Sequence, residues 1–178
     1  TGNISHVMNL DILQKFVDSV NYLPENIKIK FFTSWNIDTC KNFKVFNRRI
    51  KYSWLSNAQI KSEINNAEIL LLPLSFDNCS KEEVETVFST KTLDYLISGV
   101  PIFVIAPKNS YHSISAKNNG WGNVINDDAP ENIAKSLINM LSDFKNNEKI
   151  VKNAIKEANR RRSSIHATRL LSFVNEIT

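Results

Sequence analysis

Two short apolar runs constrain the fold more than any other feature of this chain. They are Ile69-Leu-Leu-Leu-Pro73 and Ile102-Phe-Val-Ile-Ala106, and neither alternates between apolar and polar residues. Such a run predicts a strand that is covered on both faces, as in a parallel sheet. Between the two runs, a helix is predicted over Ser89–Ser98, with Gly99 as its stop. A buried strand, a helix and a second buried strand in succession predict a parallel α/β sheet.

The same alternation of strand and helix patterns continues along the rest of the chain. Additional strands are predicted at Ile27–Phe32, Arg49–Ser53 and Asn123–Ile125, and additional helices at Leu10–Val20, Ser56–Ala67, Ser110–Asn119, Pro130–Leu141, Lys145–Arg161 and Ile165–Ile177. The segment from Asp38 to Asn47 is either a loop or a short helix, and Leu74–Val87 is predicted to be a long loop. Because no composition shift interrupts the pattern, one domain over residues 1–178 is expected, with residues 144–178 as C-terminal helices.

Composition places this domain among globular proteins of the cytoplasm. Its 178 residues are 42% hydrophobic and 22% charged, and no apolar run approaches the ~20 residues that cross a bilayer. Cys40 and Cys79 lack the spacing of metal ligands and are interpreted as reduced thiols, and no secretory signal pattern is present. Basic residues from Lys145 to Arg162 lie along an apolar helical stripe, which favours a solvated helix face over a nucleic-acid site.

The start of the predicted Ser89–Ser98 helix carries the side chains that suggest a ligand. Ser89, Thr90 and Lys91 bring two hydroxyls and an ammonium to a helix end whose free N–H groups favour anions. Asp94 follows Thr90 by about one turn, where its carboxylate can accept hydrogen bonds from sugar hydroxyls. A capped helix with a solvated lysine and a surface carboxylate explains the same residues, so the pattern alone leaves both interpretations open.

The predicted strands bring further polar residues to the same edge of the sheet. Ligands of parallel α/β sheets bind beyond the carboxyl ends of the strands, where the turns Ser34–Asn36 and Pro107–Ser110 fall. Ser34 is therefore a candidate contact. His6 and His112 are candidates for catalysis or phosphate contact, although lone histidines are more often neither. No cluster of His, Cys, Asp and Glu has metal-ligand spacing, so no protein-held metal is predicted.

One longer segment resembles a known family. Phe88-Ser-Thr-Lys-Thr-Leu-Asp-Tyr-Leu-Ile-Ser-Gly-Val-Pro-Ile102 is similar to the nucleotide-sugar signature of GT-B glycosyltransferases of the group 1, GT4-like family. Looser similarity extends over nearly the whole chain, to Ile69–Leu74, Arg49–Ser56 and the opening Thr1–Ile4. The resemblance implies the C-terminal half of a GT-B fold: a Rossmann-like parallel sheet with helices on both faces and a helical C-terminal tail. It also implies that the acceptor domain is absent from this chain.

The resemblance assigns roles to individual residues. The implied donor contacts are Gly2, Asn3, Thr90 and Lys91 at the phosphates, Ser89 beside them, Asp94 at the ribose, and Trp54 and Leu55 at the base. Asp94 replaces the family's usual glutamate. The family's other acidic partner falls at Thr86, so either the neighbouring Glu85 takes that role or the donor sugar is held differently. The family's first strand is expected ahead of Thr1.

The resemblance therefore implies a domain that binds an NDP-sugar of UDP or GDP type and uses no other cofactor. Transfer with retention and without a metal is expected, to a saccharide or lipid-linked acceptor held by another domain, in the synthesis of a surface polysaccharide or glycoconjugate. The fragment alone is expected to be inactive, and a peripheral contact at the inner face of the membrane is left open. Two alternatives remain: a sugar-nucleotide epimerase of GT-B fold, and a non-catalytic α/β interaction domain.

Overall fold

A computed structural model describes residues 9–77, 81–86 and 88–161. In these ranges, strands and helices alternate as the sequence patterns predict. The strands are β1 (Ile29–Phe32), β2 (Ile50–Ser53), β3 (Leu70–Pro73), β4 (Ile102–Ile105) and β5 (Asn123–Ile125). The helices are α1 (Leu10–Ser19), α2 (Ile37–Asn42), α3 (Asn57–Asn65), α4 (Lys81–Thr86), α5 (Thr90–Ile97), α6 (Tyr111–Asn119), α7 (Pro130–Ser142) and α8 (Phe144–Arg160), and a 3₁₀ turn (Val20–Tyr22) extends α1.

The strand pairs of the described chain are all parallel, which confirms the predicted α/β class. β1 pairs with β2, and β4 lies between β3 and β5. Leu70 of β3 stands opposite Ile102 of β4, so the two apolar runs are direct neighbours in the sheet. The helix between them, α5, ends before Gly99, whose φ of 76° only glycine adopts without strain.

β4 shows why its sequence is uniformly apolar. Phe103 and Ile105 belong to a core cluster that also contains residues of α1 and α7. Ile102 and Val104 belong to a second cluster, built with residues of α5, α6 and α8. All four side chains are fully buried, because helices cover both faces of the strand. This confirms the predicted Rossmann-like arrangement of helices on two sides of a parallel sheet.

The sheet is divided between β1 and β3. These two strands belong to different sheets, and residues of both line one cavity of about 760 Å³.

Two segments differ from the sequence-based expectations. Leu74–Val87 is not a loop throughout, because it contains the helix α4. Only Val84 of that helix is buried, so its apolar pattern is too short to show a helical period. The ambiguous stretch after Asp38 contains α2, which Asn36 caps by accepting a hydrogen bond from the Thr39 amide at 2.8 Å. The predicted helix Ile165–Ile177 lies outside the described residues.

Candidate functional site

The carboxyl ends of β1 and β2 frame a small cavity of about 340 Å³. Three residues predicted to contact a nucleotide, Ser34, Trp54 and Leu55, line it together. Trp54 follows β2 directly and is 72% exposed. An indole ring that is held at a cavity mouth and open to solvent offers an apolar face on which a planar group can stack.

The larger cavity, of about 760 Å³, also extends to the carboxyl end of β1. Phe32 and Thr33 line both cavities, so the two adjoin at the end of β1. Ser89 and Lys91 line the larger cavity as well. The structure therefore brings the predicted phosphate residues and the predicted base residues to adjoining cavities, joined through Phe32 and Thr33.

The start of α5 has the geometry of a capped helix. Ser89 has an extended backbone, and its carbonyl oxygen accepts a hydrogen bond from the Thr92 amide at 2.9 Å. Thr90 is the first helical residue, although its side chain lies outside the described part of the structure. Because the first N–H groups of a helix lack partners within the helix, this end carries partial positive charge.

Lys91 adds a full positive charge to the same helix end. The side chain is half-buried, and burial lowers the pKa of its ammonium. Within residues 9–77, 81–86 and 88–161, no hydrogen bond or ion pair to that ammonium is found. A desolvated cation without a counter-ion costs free energy, which an anion placed beside it would recover.

The other residues predicted to contact the donor do not line either cavity in the described part of the chain. Asp94 is exposed on α5, one turn after Thr90, as its spacing predicted. Glu85 is partly buried on α4. Gly2 and Asn3 lie outside the described residues, so their predicted approach to the phosphates stays a prediction.

His112, a candidate for catalysis or phosphate contact in the sequence, lies in the interior of the protein. The side chain is fully buried, so it does not reach a ligand from the surface. Its Nε2 atom lies 3.3 Å from the Ser89 amide nitrogen and 3.0 Å from the Thr92 Oγ1 atom. Burial, with a smaller effect of the Arg161 charge, lowers the pKa of His112 to about 4. Contacts between residues 20 or more positions apart leave no periodic signal in the sequence, which is why spacing did not reveal them.

Asp11 is a second residue that sequence reasoning missed. It lies in the first turn of α1, and its Oδ2 atom accepts a hydrogen bond from the Phe76 amide at 2.8 Å. Its other oxygen, Oδ1, is buried and has no hydrogen-bond partner among the residues that the structure describes. The carboxylate thus ties α1 to the loop that follows β3, at the same edge of the sheet.

The described residues contain neither a cluster of metal ligands nor a helix that could span a membrane. No group of three or more His, Cys, Asp and Glu side chains there is arranged to hold a metal ion, and the metal-free site stays a prediction. Of the helices that the structure describes, none combines the length and apolarity needed to span a membrane.

Known proteins resemble this chain in structure rather than in sequence. No protein-family model and no curated protein matches it. The C-terminal domain of the glycosyl transferase group 1 family protein LpcC from Francisella tularensis superposes with a TM-score of 0.61 at 15% identity, over 90% of this chain and 83% of that one. Anabaena Alr3699/HepE, solved in complex with UDP, superposes with a TM-score of 0.67 at 12% identity.

The extent of the second match also bears on domain organisation. It covers 99% of this chain but 48% of HepE, so the chain spans about half the length of that protein. Both neighbours share the parallel sheet flanked by helices that is described above. The protein thus has the fold of the C-terminal domain of a GT-B glycosyltransferase of the group 1 type.

Proposed function

We propose that this chain is the sugar-nucleotide-binding domain of a glycosyltransferase. The observation that carries the proposal is the half-buried ammonium of Lys91, which lacks a counter-ion among the described residues at the start of α5. A nucleoside diphosphate supplies the missing negative charge. Its phosphate oxygens can accept hydrogen bonds from Lys91 and from the free amides of the helix end.

The same groups account for the chemistry of glycosyl transfer. When the bond between the sugar and the nucleoside diphosphate breaks, negative charge develops on the leaving diphosphate. Lys91 and the positive end of α5 stabilise that charge, which lowers the barrier to bond cleavage. Thr90 contacts the same diphosphate, and Gly2 and Asn3 approach it from the turn ahead of α1.

The rest of the nucleotide extends from the α5 end towards the smaller cavity. The base stacks against Trp54, with Ser34 and Leu55 as further walls of the same cavity. Asp94 accepts hydrogen bonds from the ribose hydroxyls, and Glu85 contacts the donor sugar. The adjoining cavities support this path, because Phe32 and Thr33 belong to both.

The whole enzyme needs more than this domain. The acceptor, a saccharide or a lipid-linked saccharide, is held by a second domain, so the 178-residue chain alone has little transfer activity. Transfer proceeds with retention and without a protein-held metal, in surface polysaccharide or glycoconjugate synthesis at the cytoplasmic side of the membrane. The UDP bound to HepE, a protein of similar fold, supports UDP as the first donor nucleotide to test.

Calorimetric titration with UDP, GDP and their sugars tests the proposal. We expect saturable binding of at least one nucleoside diphosphate. Lys91→Gln should weaken it by about 10- to 100-fold, since a hydrogen bond to a charged group contributes about 1.5–3 kcal/mol. Lys135→Gln, at an exposed position on α7, is the matched control and should leave the affinity unchanged. If neither this domain nor a longer parent protein binds any of these nucleotides, the proposed function is wrong.

A further inference from the structure

We propose that His112 is a positioning residue of the nucleotide site, because it accepts hydrogen bonds that hold the first turn of α5 against α6. The proposal rests on the function proposed above, since it concerns the phosphate end of the same site. His112 lies on α6, 23 positions from Ser89. The link therefore joins two elements that no local sequence pattern connects.

The hydrogen bonds define the state of the imidazole ring. A backbone N–H can only donate, so the Ser89 amide makes Nε2 of His112 the acceptor. Nε2 must then be unprotonated, and in the neutral ring the proton resides on Nδ1, which is buried and has no hydrogen-bond partner among the described residues. The Thr92 hydroxyl, 3.0 Å from the same Nε2 atom, is buried and also points to it. One ring nitrogen thus serves both the cap residue and the third residue of α5.

Aromatic packing keeps the ring in this position. The ring of Phe88 stacks on the ring of His112, with centroids 5.2 Å apart and planes 3° from parallel. The guanidinium of Arg161 lies 4.0 Å from the Phe88 centroid and donates a hydrogen bond to the Tyr111 hydroxyl at 2.8 Å. Glu157, itself nearly buried, holds the same guanidinium through a 2.8 Å contact. The end of α8 thereby closes the cluster.

The consequence for the site follows from the position of Ser89. As the cap residue, Ser89 sets the direction in which the helix begins, and hence where the amides of Thr90 and Lys91 point. Removing the acceptor at position 112 leaves the partly buried Ser89 N–H and the buried Thr92 hydroxyl without this partner, which costs more than the hydrogen bonds themselves contributed. The first turn of α5 would then shift or fray, and the phosphate-binding end would lose its preset geometry.

Two substitutions separate positioning from bulk packing. His112→Leu fills much of the space of the imidazole but removes the hydrogen-bond acceptor. His112→Gln instead provides an amide oxygen that can replace Nε2 as the acceptor. Ser115→Ala is the matched control: it lies on the same helix and removes a buried hydrogen bond from the Trp121 indole at 3.1 Å, whereas the hydrogen bonds from α5 to His112 stay in place. Each variant is compared with the unaltered chain at pH 7.

The readouts are hydrogen exchange at the amides of Ser89 and Lys91, and UDP affinity by calorimetry. For His112→Leu we expect at least tenfold faster exchange at Ser89 and about fivefold or greater loss of affinity. His112→Gln should recover most of both, and Ser115→Ala should change neither. Unchanged exchange at Ser89 in His112→Leu, or no recovery in His112→Gln, would overturn the positioning role. If neither the unaltered chain nor a longer parent protein binds UDP, GDP or their sugars, the proposed function is wrong, whereas the exchange data still decide the role of His112.

Discussion

The two halves of the sheet are built differently. β4, in the half that contains β3 and β5, has all four side chains fully buried between two core clusters. β1, in the half that contains β2, has no fully buried residue and lies beside the 760 Å³ cavity. The proposed phosphate site lies at the start of α5, the helix that precedes β4, and the proposed base cavity follows β1 and β2. Burial therefore predicts that truncating a side chain of β4 destabilises the chain more than truncating one of β1.

The largest difference between the halves is expected from paired core truncations. Phe103→Ala on β4 should cost about 3–5 kcal/mol of the free energy of unfolding, since it leaves a cavity between two covered faces. Phe31→Ala on β1 should cost less than half of that, because Phe31 is only partly buried and borders an existing cavity. Urea denaturation measures both. Equal losses would mean that the two halves are packed equally well.

A pH effect of about 3 kcal/mol is expected from His112 alone. Burial holds its pKa at about 4 in the folded chain, while the unfolded value is near 6.5. Between these values the unfolded state binds more protons, so stability is complete above pH 6.5 and falls as the pH drops towards 4.

The measurement is the free energy of unfolding of the unaltered chain and of His112→Gln across pH 4–7. Carboxylates titrate in both proteins, so the difference between the two curves isolates His112. Hydrogen exchange should show protection lost first around α5 and α6, and later in β1 and β2. Parallel pH curves for the two proteins would contradict the assignment of a neutral, buried imidazole.

The smallest effect is expected in the base cavity. Trp54→Ala should weaken nucleotide binding by about 1–2 kcal/mol through lost stacking, and should change stability little because the indole is mostly exposed. Calorimetry with UDP and with inorganic diphosphate provides the comparison. We expect the loss for UDP alone, whereas an equal loss for diphosphate would place Trp54 at the phosphates instead.

The sequence predicted the secondary structure of the described chain well wherever a local pattern was strong. The continuous apolar runs became β3 and β4, and Gly99, predicted to stop the helix before β4, follows α5 with a φ of 76°. The helix predicted from Ser56 begins there with a capping box, in which Gln59 accepts a hydrogen bond from the Ser56 amide at 3.0 Å. The pattern failed at α4, where one buried residue in six is too weak a signal for a period of 3.6.

The candidate site was predicted in its residues but not in its supporting contacts. Ser89, Thr90 and Lys91 were identified from their place at a helix start, which is local information. The partial burial of Lys91 depends on how α5 packs beside the cavity between β1 and β3. The role of His112 depends on a contact across 23 positions. Neither the burial of Lys91 nor the contact of His112 produces a periodic pattern, so the sequence alone could not predict them.

The sequence by itself determined the α/β class, the parallel pairing and the helix start that suits an anion. It did so because covered strands, capping residues and glycine stops act over one or two turns of chain. Tertiary structure alone decided that Lys91 is desolvated without a described counter-ion, that His112 is neutral and that the two cavities adjoin at Phe32 and Thr33. Desolvation and long-range hydrogen bonds exist only once distant segments exclude water together.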